Sequence, residues 1–430
     1  MRRALLVIAA LLIATAGGVY AWATRHPVIE ALAAPPDPRR FDAALVERGE
    51  TLTALGYCEV CHTRPGGQPF AGGLPLPTPF GTIYSTNITP DPETGIGRWS
   101  EEAFRRAMHE GIDRQGRHLY PVFPYDHFTR VTDEDVRAIY AYLMRQRAVR
   151  YASPRNELSF PFDQRITLAG WNLLFFKPGR FVPDPSKDET WNRGAYLAEG
   201  LAHCGSCHTP RNALGGLDDT RKFAGGDVEG WHGTALDGSS PAPLPWTAAA
   251  MLDYLFDGRH GSHGIAAGPM TPVVNMMENQ AEEDVEAIAA YVASFQSGRR
   301  ANREAVAAAA EERQLTAASV AALQVDASLQ PGRDIFVRSC INCHRKGEKA
   351  APLALTSTVN GPDPRNVIQI VLHGIRPPKG ARDFSMPASA WMSDQDLVNI
   401  TRFVRAQFSD KGPWPNLEQA VREVRAAPKH

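Results

Sequence analysis

The sequence predicts an all-α chain: three small helical domains in tandem behind an N-terminal transmembrane helix. Three observations predict it. A five-residue string, Cys-x-x-Cys-His, occurs three times. Each copy is followed by a helix with an acidic first turn and an apolar stripe. An uncharged run of 21 residues, Ala4 to Thr24, stands behind Arg2 and Arg3.

The string reads Cys58-Glu59-Val60-Cys61-His62, then Cys204-Gly205-Ser206-Cys207-His208, then Cys340-Ile341-Asn342-Cys343-His344. It is the attachment signature of c-type haem. Two thiols three positions apart on one helical turn can each form a thioether to a haem vinyl group. The next residue then supplies an imidazole nitrogen to the iron as proximal ligand, here His62, His208 and His344. The chain has six cysteines and these motifs use all six, so none remains for a disulfide or a nucleophile. A lone Cys-x-x-Cys also fits a redox dithiol or half a zinc site. Three copies, each with His next, point instead to three covalently bound haem c groups.

Composition sets the outer bounds. The chain has 430 residues, enough for about two to four domains. A net charge of −1 implies no nucleic-acid partner. With 43% hydrophobic residues the chain can build real cores.

The run from Ala4 to Thr24 has the length of a membrane-spanning helix, which takes about 20 apolar residues. The basic residues ahead of it predict a cytoplasmic N-terminus with the rest exported. Ala21-Trp22-Ala23 also has the small-x-small form of a cleavage site. Either reading puts the haem domains in the periplasm, and the first also holds them at the cytoplasmic (inner) membrane. Arg25 to Arg40, with four prolines, reads as an extended tether.

Internal repetition gives the domain map. Gly49, Gly194 and Gly332 precede their first Cys by nine, ten and eight residues, in a glycine-led helix. Each copy ends in a helix with apolar residues at i, i+3 and i+6: Val136, Ile139, Tyr142; Val285, Ile288, Tyr291; Leu397, Ile400, Phe403. Asp133-Glu134-Asp135, Glu282-Glu283-Asp284 and Asp394-x-Asp396 open these helices, where negative charge suits the helix dipole. The map is 1–25 anchor or signal, 26–40 tether, 41–150 first haem domain, 151–188 linker, 189–298 second haem domain, 299–327 helical linker, 328–410 third haem domain and 411–430 tail. The linker's aromatic cluster, Trp171, Phe175, Phe176 and Phe181, reads as core, with a docking surface as the alternative.

The sixth iron ligands come from the middle of each copy. Gly111, Gly258 and Gly374 each close a short helix in position for a left-handed turn. Twelve residues after them stand Phe123, Met270 and Met386. Met270 and Met386 are the thioether ligands of the second and third haems, with Met276, Met277 and Met392 as nearby core-filling competitors. Phe123 has no lone pair. His127, four residues on, is the preferred ligand of the first haem, against His118, a water or an open iron.

An N-terminal helix packed across a C-terminal one with haem between them resembles the class I cytochrome c fold. Beyond the first 25 residues the chain resembles the tri-haem cytochrome c subunits of bacterial membrane-bound periplasmic dehydrogenases. Phe80-Gly81-Thr82-Ile83-Tyr84-Ser85-Thr86-Asn87-Ile88-Thr89, Trp191-Asn192-Arg193-Gly194-Ala195-Tyr196-Leu197 and Cys207-His208-Thr209-Pro210-Arg211-Asn212 carry the resemblance. It implies an electron-transfer subunit, not itself an enzyme, that takes electrons from a catalytic dehydrogenase subunit. These electrons would pass to membrane quinone, a terminal oxidase or another cytochrome. The string Tyr120-Pro121-Val122-Phe123-Pro124-Tyr125-Asp126-His127-Phe128 resembles the partners of molybdenum hydroxylases, such as nicotinate, isoquinoline and aldehyde dehydrogenases. That implies a molybdopterin-containing partner with an iron–sulfur subunit. The alternatives are the cytochrome subunit of a quinoprotein alcohol or flavin gluconate dehydrogenase, and a multi-haem peroxidase.

Overall fold

The computed structural model describes residues 26–296, 302–348, 350–381 and 383–426, with Thr15, Gly17, Gly18 and Gly298. The chain parts into two units. The first takes the described residues up to Asp184 together with Glu199–His203 and Ala213–Gly216. The second takes Pro185–Ala198, Cys204–Asn212 and the chain from Leu217 onward.

In the first unit lie α1 (Ala43–Leu55), α2 (Cys58–Cys61), α3 (Glu101–Glu110), α4 (Tyr125–Phe128), α5 (Asp133–Met144) and α6 (Ile166–Phe175). Its strands are β1 (Pro75–Thr78), β2 (Gly81–Tyr84) and β3 (Glu157–Leu158), in the antiparallel order β1-β2-β3. The second unit holds α7 (Glu189–Tyr196), α8 (Gly205–His208), α9 (Ala248–Asp257), α10 (Met270–Met277), α11 (Glu282–Ser294), α12 (Arg303–Arg313) and α13 (Ala317–Ala322). It continues with α14 (Gln330–Ser339), α15 (Arg365–His373), α16 (Asp394–Phe408) and α17 (Leu417–Ala426). Two antiparallel hairpins accompany them: β4 (Gly226–Val228) with β5 (Trp231–Gly233), and β6 (Arg259–His260) with β7 (Gly264–Ile265).

The all-α expectation is therefore corrected. β2 finds its second partner, Glu157–Leu158, more than seventy residues away, and that pairing has no local sequence signature. The β4–β5 hairpin turns through Glu229 and Gly230, both at positive φ (49° and 76°), as a two-residue hairpin turn requires. The transmembrane expectation is corrected as well. Among the described residues no helix is long and apolar enough to cross a membrane. Ala4 to Thr24, apart from Thr15, Gly17 and Gly18, lies outside the described residues.

One helix crossing occurs three times. α1 packs on α5, α7 on α11 and α14 on α16. The repeated glycine sits at each crossing, well inside the helix for Gly49 and Gly194 and in the first turn for Gly332. A Cβ on Gly49 would lie 2.0 Å from the Ala138 carbonyl oxygen, on Gly194 1.9 Å from that of Ala287, and on Gly332 2.1 Å from that of Asn399. The backbones touch because no side chain separates them. Arg48 reaches Asp135 at 2.7 Å and Arg193 reaches Asp284 at 2.7 Å, pinning the first two crossings. In the first two copies the third acidic residue of the opening turn thus serves its neighbour as well as its own helix. Thr132 caps α5 through the Asp135 N–H, and Ser393 forms a capping box with Asp396 on α16. The apolar stripes face inward: Val136, Val285 and Leu397 are fully buried.

The segment before α1 is extended but not free. Ile29 N–H donates to Arg114 O at 2.9 Å, and Arg106 holds the Pro27 carbonyl at 2.6 Å. At the other end, α12, α13 and α17 supply Ala310, Val320, Leu417, Val421 and Val424 to the third copy's core. The tail caps that copy, and Trp414 Nε1 donates to Gly361 O at 2.8 Å.

Candidate haem-binding sites

Each Cys-x-x-Cys-His string forms one closed turn. The histidine N–H donates to the carbonyl of the first cysteine at 2.9 Å (His62 to Cys58), 3.1 Å (His208 to Cys204) and 3.0 Å (His344 to Cys340). This turn brings two thiols and one imidazole together on a single short segment. All six cysteines are free thiols. Burial pushes the Cys58 thiol up to about 12 and the Cys207 and Cys340 thiols up to about 11.

The rings are held from behind. His62 Nδ1–H donates to Thr86 O at 2.6 Å, and His208 Nδ1–H to Thr234 O at 2.8 Å. A carbonyl partner fixes the proton on Nδ1 and leaves Nε2 as the bare acceptor, the arrangement common among metal-binding histidines. Burial lowers the basicity of His62, His208 and His344, favouring the neutral ring. The third copy departs here. His344 Nδ1 is buried without a partner among the described residues, and its ring lines a pocket with Gln314, Ala351, Leu353 and Phe408.

The turn itself is braced by a second repeated string, which lies outside the haem motif and which sequence reading did not single out: Phe70-Ala71-Gly72-Gly73 and Phe223-Ala224-Gly225-Gly226. Both phenylalanines stand at φ 61°. Phe70 N–H donates to Thr63 Oγ1 and Phe223 N–H to Thr209 Oγ1, each at 3.1 Å. Gly72 N–H then returns to His62 O at 2.6 Å, and Gly225 N–H to His208 O at 2.8 Å. The sequence signal was the four-residue identity at unequal distances, eight and fifteen residues, after the histidine.

The equal twelve-residue spacing in the middle of each copy does not give equal places. Gly111, Gly258 and Gly374 do adopt positive φ (63°, 73° and 73°). After them Ile112 pairs with His118 and Arg259 with Ile265, seven residues past the glycine. In the third copy Ile375 pairs with Met386 itself. Met270 instead opens α10, and both methionines are half-buried. Met277 and Met392, at 2% exposure each, are packed into cores.

On the first copy's equivalent side, Phe123 packs on Phe128 (ring centroids 5.3 Å apart). His118 has both ring nitrogens engaged: Nδ1 accepts from Asn172 at 3.2 Å, and Nε2 lies 3.3 Å from His26 Nε2. Asn172 Oδ1 in turn accepts from Tyr125 Oη at 2.6 Å. His127 differs. It is buried, its Nδ1–H donates to Glu199 O at 2.8 Å, and its Nε2 is buried without a partner among the described residues. Trp171, Phe175 and Phe176 pack inside this unit, with Phe176 on Tyr125 at 5.2 Å.

Comparison with known proteins is consistent with this geometry. Residues 327–404 match the family described as cytochrome c oxidase, cbb3-type, subunit III. The chain is 44% identical over 92% of its length to a nicotinate dehydrogenase subunit of Pseudomonas putida, spanning 33% of that longer protein. It is 36% identical to the gluconate 2-dehydrogenase cytochrome c subunit of Pantoea cypripedii, with 88% of this chain and 87% of that one covered. It is 32% identical to the fructose dehydrogenase cytochrome subunit of Gluconobacter japonicus, covering 92% and 85%. This chain belongs to the family of dehydrogenase cytochrome c subunits. As a cytochrome subunit it transfers electrons and is not the catalytic subunit of its complex. Membership implies haem c, and the residues fit it: free paired thiols on one turn, and imidazoles anchored through Nδ1 in two copies.

Proposed function

We propose that the chain is the three-haem electron-transfer subunit of a periplasmic dehydrogenase complex. The closed Cys-x-x-Cys-His turn, built three times with the same hydrogen bond, carries this reading. Bound haem c supplies reversible one-electron carriage between a donor and an acceptor. Cys58 and Cys61, Cys204 and Cys207, and Cys340 and Cys343 hold the three groups as thioethers. His62, His208 and His344 are the proximal ligands, and Thr86 and Thr234 orient the first two. Met270 and Met386 close the second and third irons, leaving no place for substrate.

For the first haem the proposed sixth ligand is His127. Its unpartnered Nε2, with Nδ1 held by the Glu199 carbonyl, supports that role over His118, whose two nitrogens are already engaged. His127→Ala will remove the low-spin signal of one haem in low-temperature electron paramagnetic resonance and give a high-spin haem that binds carbon monoxide. An unchanged spectrum excludes His127.

The donor is a molybdopterin-containing catalytic subunit with an iron–sulfur subunit, and the acceptor is membrane quinone or a further cytochrome. The higher identity to the nicotinate dehydrogenase protein than to the gluconate and fructose dehydrogenase subunits supports this branch. Purification of the tagged chain in mild detergent will bring down molybdenum and an iron–sulfur protein. Recovery with a flavin or quinoprotein dehydrogenase instead would overturn the assignment of donor.

A further inference from the structure

Two asparagines from outside the haem copies take the same place behind two of the proximal histidines. In the first copy His62 Nδ1–H donates to Thr86 O, and two residues before Thr86 the Tyr84 N–H donates to Asn156 Oδ1 at 3.0 Å. In the second copy His208 Nδ1–H donates to Thr234 O, and two residues before Thr234 the His232 N–H donates to Asn366 Oδ1 at 2.8 Å. Neither asparagine belongs to the copy it serves. Asn156 precedes β3, beyond the closing helix of the first copy, and Asn366 lies in the first turn of α15, in the third copy. In the third copy His344 Nδ1 has no partner among the described residues.

We propose that Asn156 and Asn366 are positioning residues for the first and second haem irons. The proposal rests on His62 and His208 as their proximal ligands. Each amide fixes a short strand, and the strand carries the carbonyl that holds the imidazole. Asn366 grips His232 on both sides, since its Nδ2 also donates to His232 O at 2.8 Å. At the next residue the strand meets the haem motif itself: a Cβ on Gly233 would lie 2.3 Å from Cys207 O. In the first copy a Cβ on Gly72 would lie 2.5 Å from Thr86 O, so that carbonyl is hemmed in as well. Satisfying a strand N–H accounts for one such bond. It does not account for the same side-chain atom at the same two-residue offset, drawn from two unrelated segments, in the two copies whose histidine is anchored. An imidazole whose Nδ1–H is held in this way is the stronger donor to iron, which favours the ferric state.

Redox titration and nuclear magnetic resonance of the haem-loaded full chain, with isotope-labelled histidine, test the proposal. In Asn366→Ala the haem on Cys204 and Cys207 will have a ferrous-to-ferric ratio about threefold or more higher at a fixed ambient potential. The His208 Nδ1–H signal will move and its proton will exchange about tenfold faster. Asn156→Ala will do the same to the haem on Cys58 and Cys61 and to His62. The third haem will be unchanged in both. Gln369→Ala removes another bond from the same helix to the same hairpin, Gln369 Nε2 to Gly230 O at 3.2 Å, and will leave the ratio as in wild type. Variants that leave the ratio and the histidine signal unmoved overturn the proposal, as does an equal shift of all three haems. Where a variant is poorly produced, wild type decides. The His232 amide and the His208 Nδ1 proton will exchange through one opening with one denaturant dependence, and a His208 proton that stays protected when the His232 amide opens overturns the proposal. A wild-type His208 signal with no shift from the haem iron would overturn the ligand reading and the proposal together.

Discussion

Gly194→Ala will open the second copy by about 3 kcal/mol or more, at the top of the usual range for overpacking a tight contact. The added carbon would lie 1.9 Å from the Ala287 carbonyl oxygen and 2.8 Å from the Tyr291 Cβ. One of those atoms is backbone, and it sits in the middle of a helix. The crossing must therefore separate, and the Arg193–Asp284 pair loosens with it. Gly49→Ala and Gly332→Ala face the same clash and carry the same expectation in the other copies. Amide exchange within Glu189–Tyr196 and Glu282–Ser294 reads the effect locally, with protection falling roughly a hundredfold. A global melt would blend several cooperative units. Gly170→Ala is the matched control. It adds the same carbon to an open helical position and will be neutral or stabilising by about 0.5–1 kcal/mol.

Met270→Ala will lower the potential of one haem by on the order of 0.1 V or more, within the ~0.8 V over which axial ligands set haem potentials. The loss of thioether from a covalently held haem leaves His208 and both cysteines in place, so attachment survives. The iron then takes water or stays five-coordinate and high-spin. Met386→Ala will do the same to the third haem. Met392→Ala separates ligand from filler. Met392 is buried at 2% exposure in the third core, so its removal will cost about 2–5 kcal/mol of stability with no change in potential. Redox titration of each variant against wild type measures the shift. A Met270→Ala or Met386→Ala protein with unaltered potentials would transfer the ligand role to a neighbouring methionine.

The parts legible in the sequence were those where chemistry allows few alternatives. Two thioethers and a ligand need a fixed spacing, so the three haem motifs stood out. A helix crossing too close for a side chain needs glycine, so Gly49, Gly194 and Gly332 appeared as a repeat, although the sequence did not show that Gly49 and Gly194 lie well inside their helices. Acidic first turns marked the three closing helices correctly. The strands were not legible. Leu76 and Ile83 belong to four-residue strands, too short for an alternation to register, and β3 joins β2 from across most of a domain. The Phe-Ala-Gly-Gly repeat escaped because its distance from the histidine differs between copies. Counting from glycine did not reveal that the loops pair differently: Met386 takes the paired position that His118 and Ile265 occupy in the other copies.

Three covalently held haems are tested most directly by the intact mass of the purified protein under denaturing conditions, after acid–acetone extraction. The expected result is one species carrying the mass of three haem groups, each tryptic haem peptide containing one of the three Cys-x-x-Cys-His strings. A protein that retains fewer than three, or that loses its haem to the extraction, would contradict it.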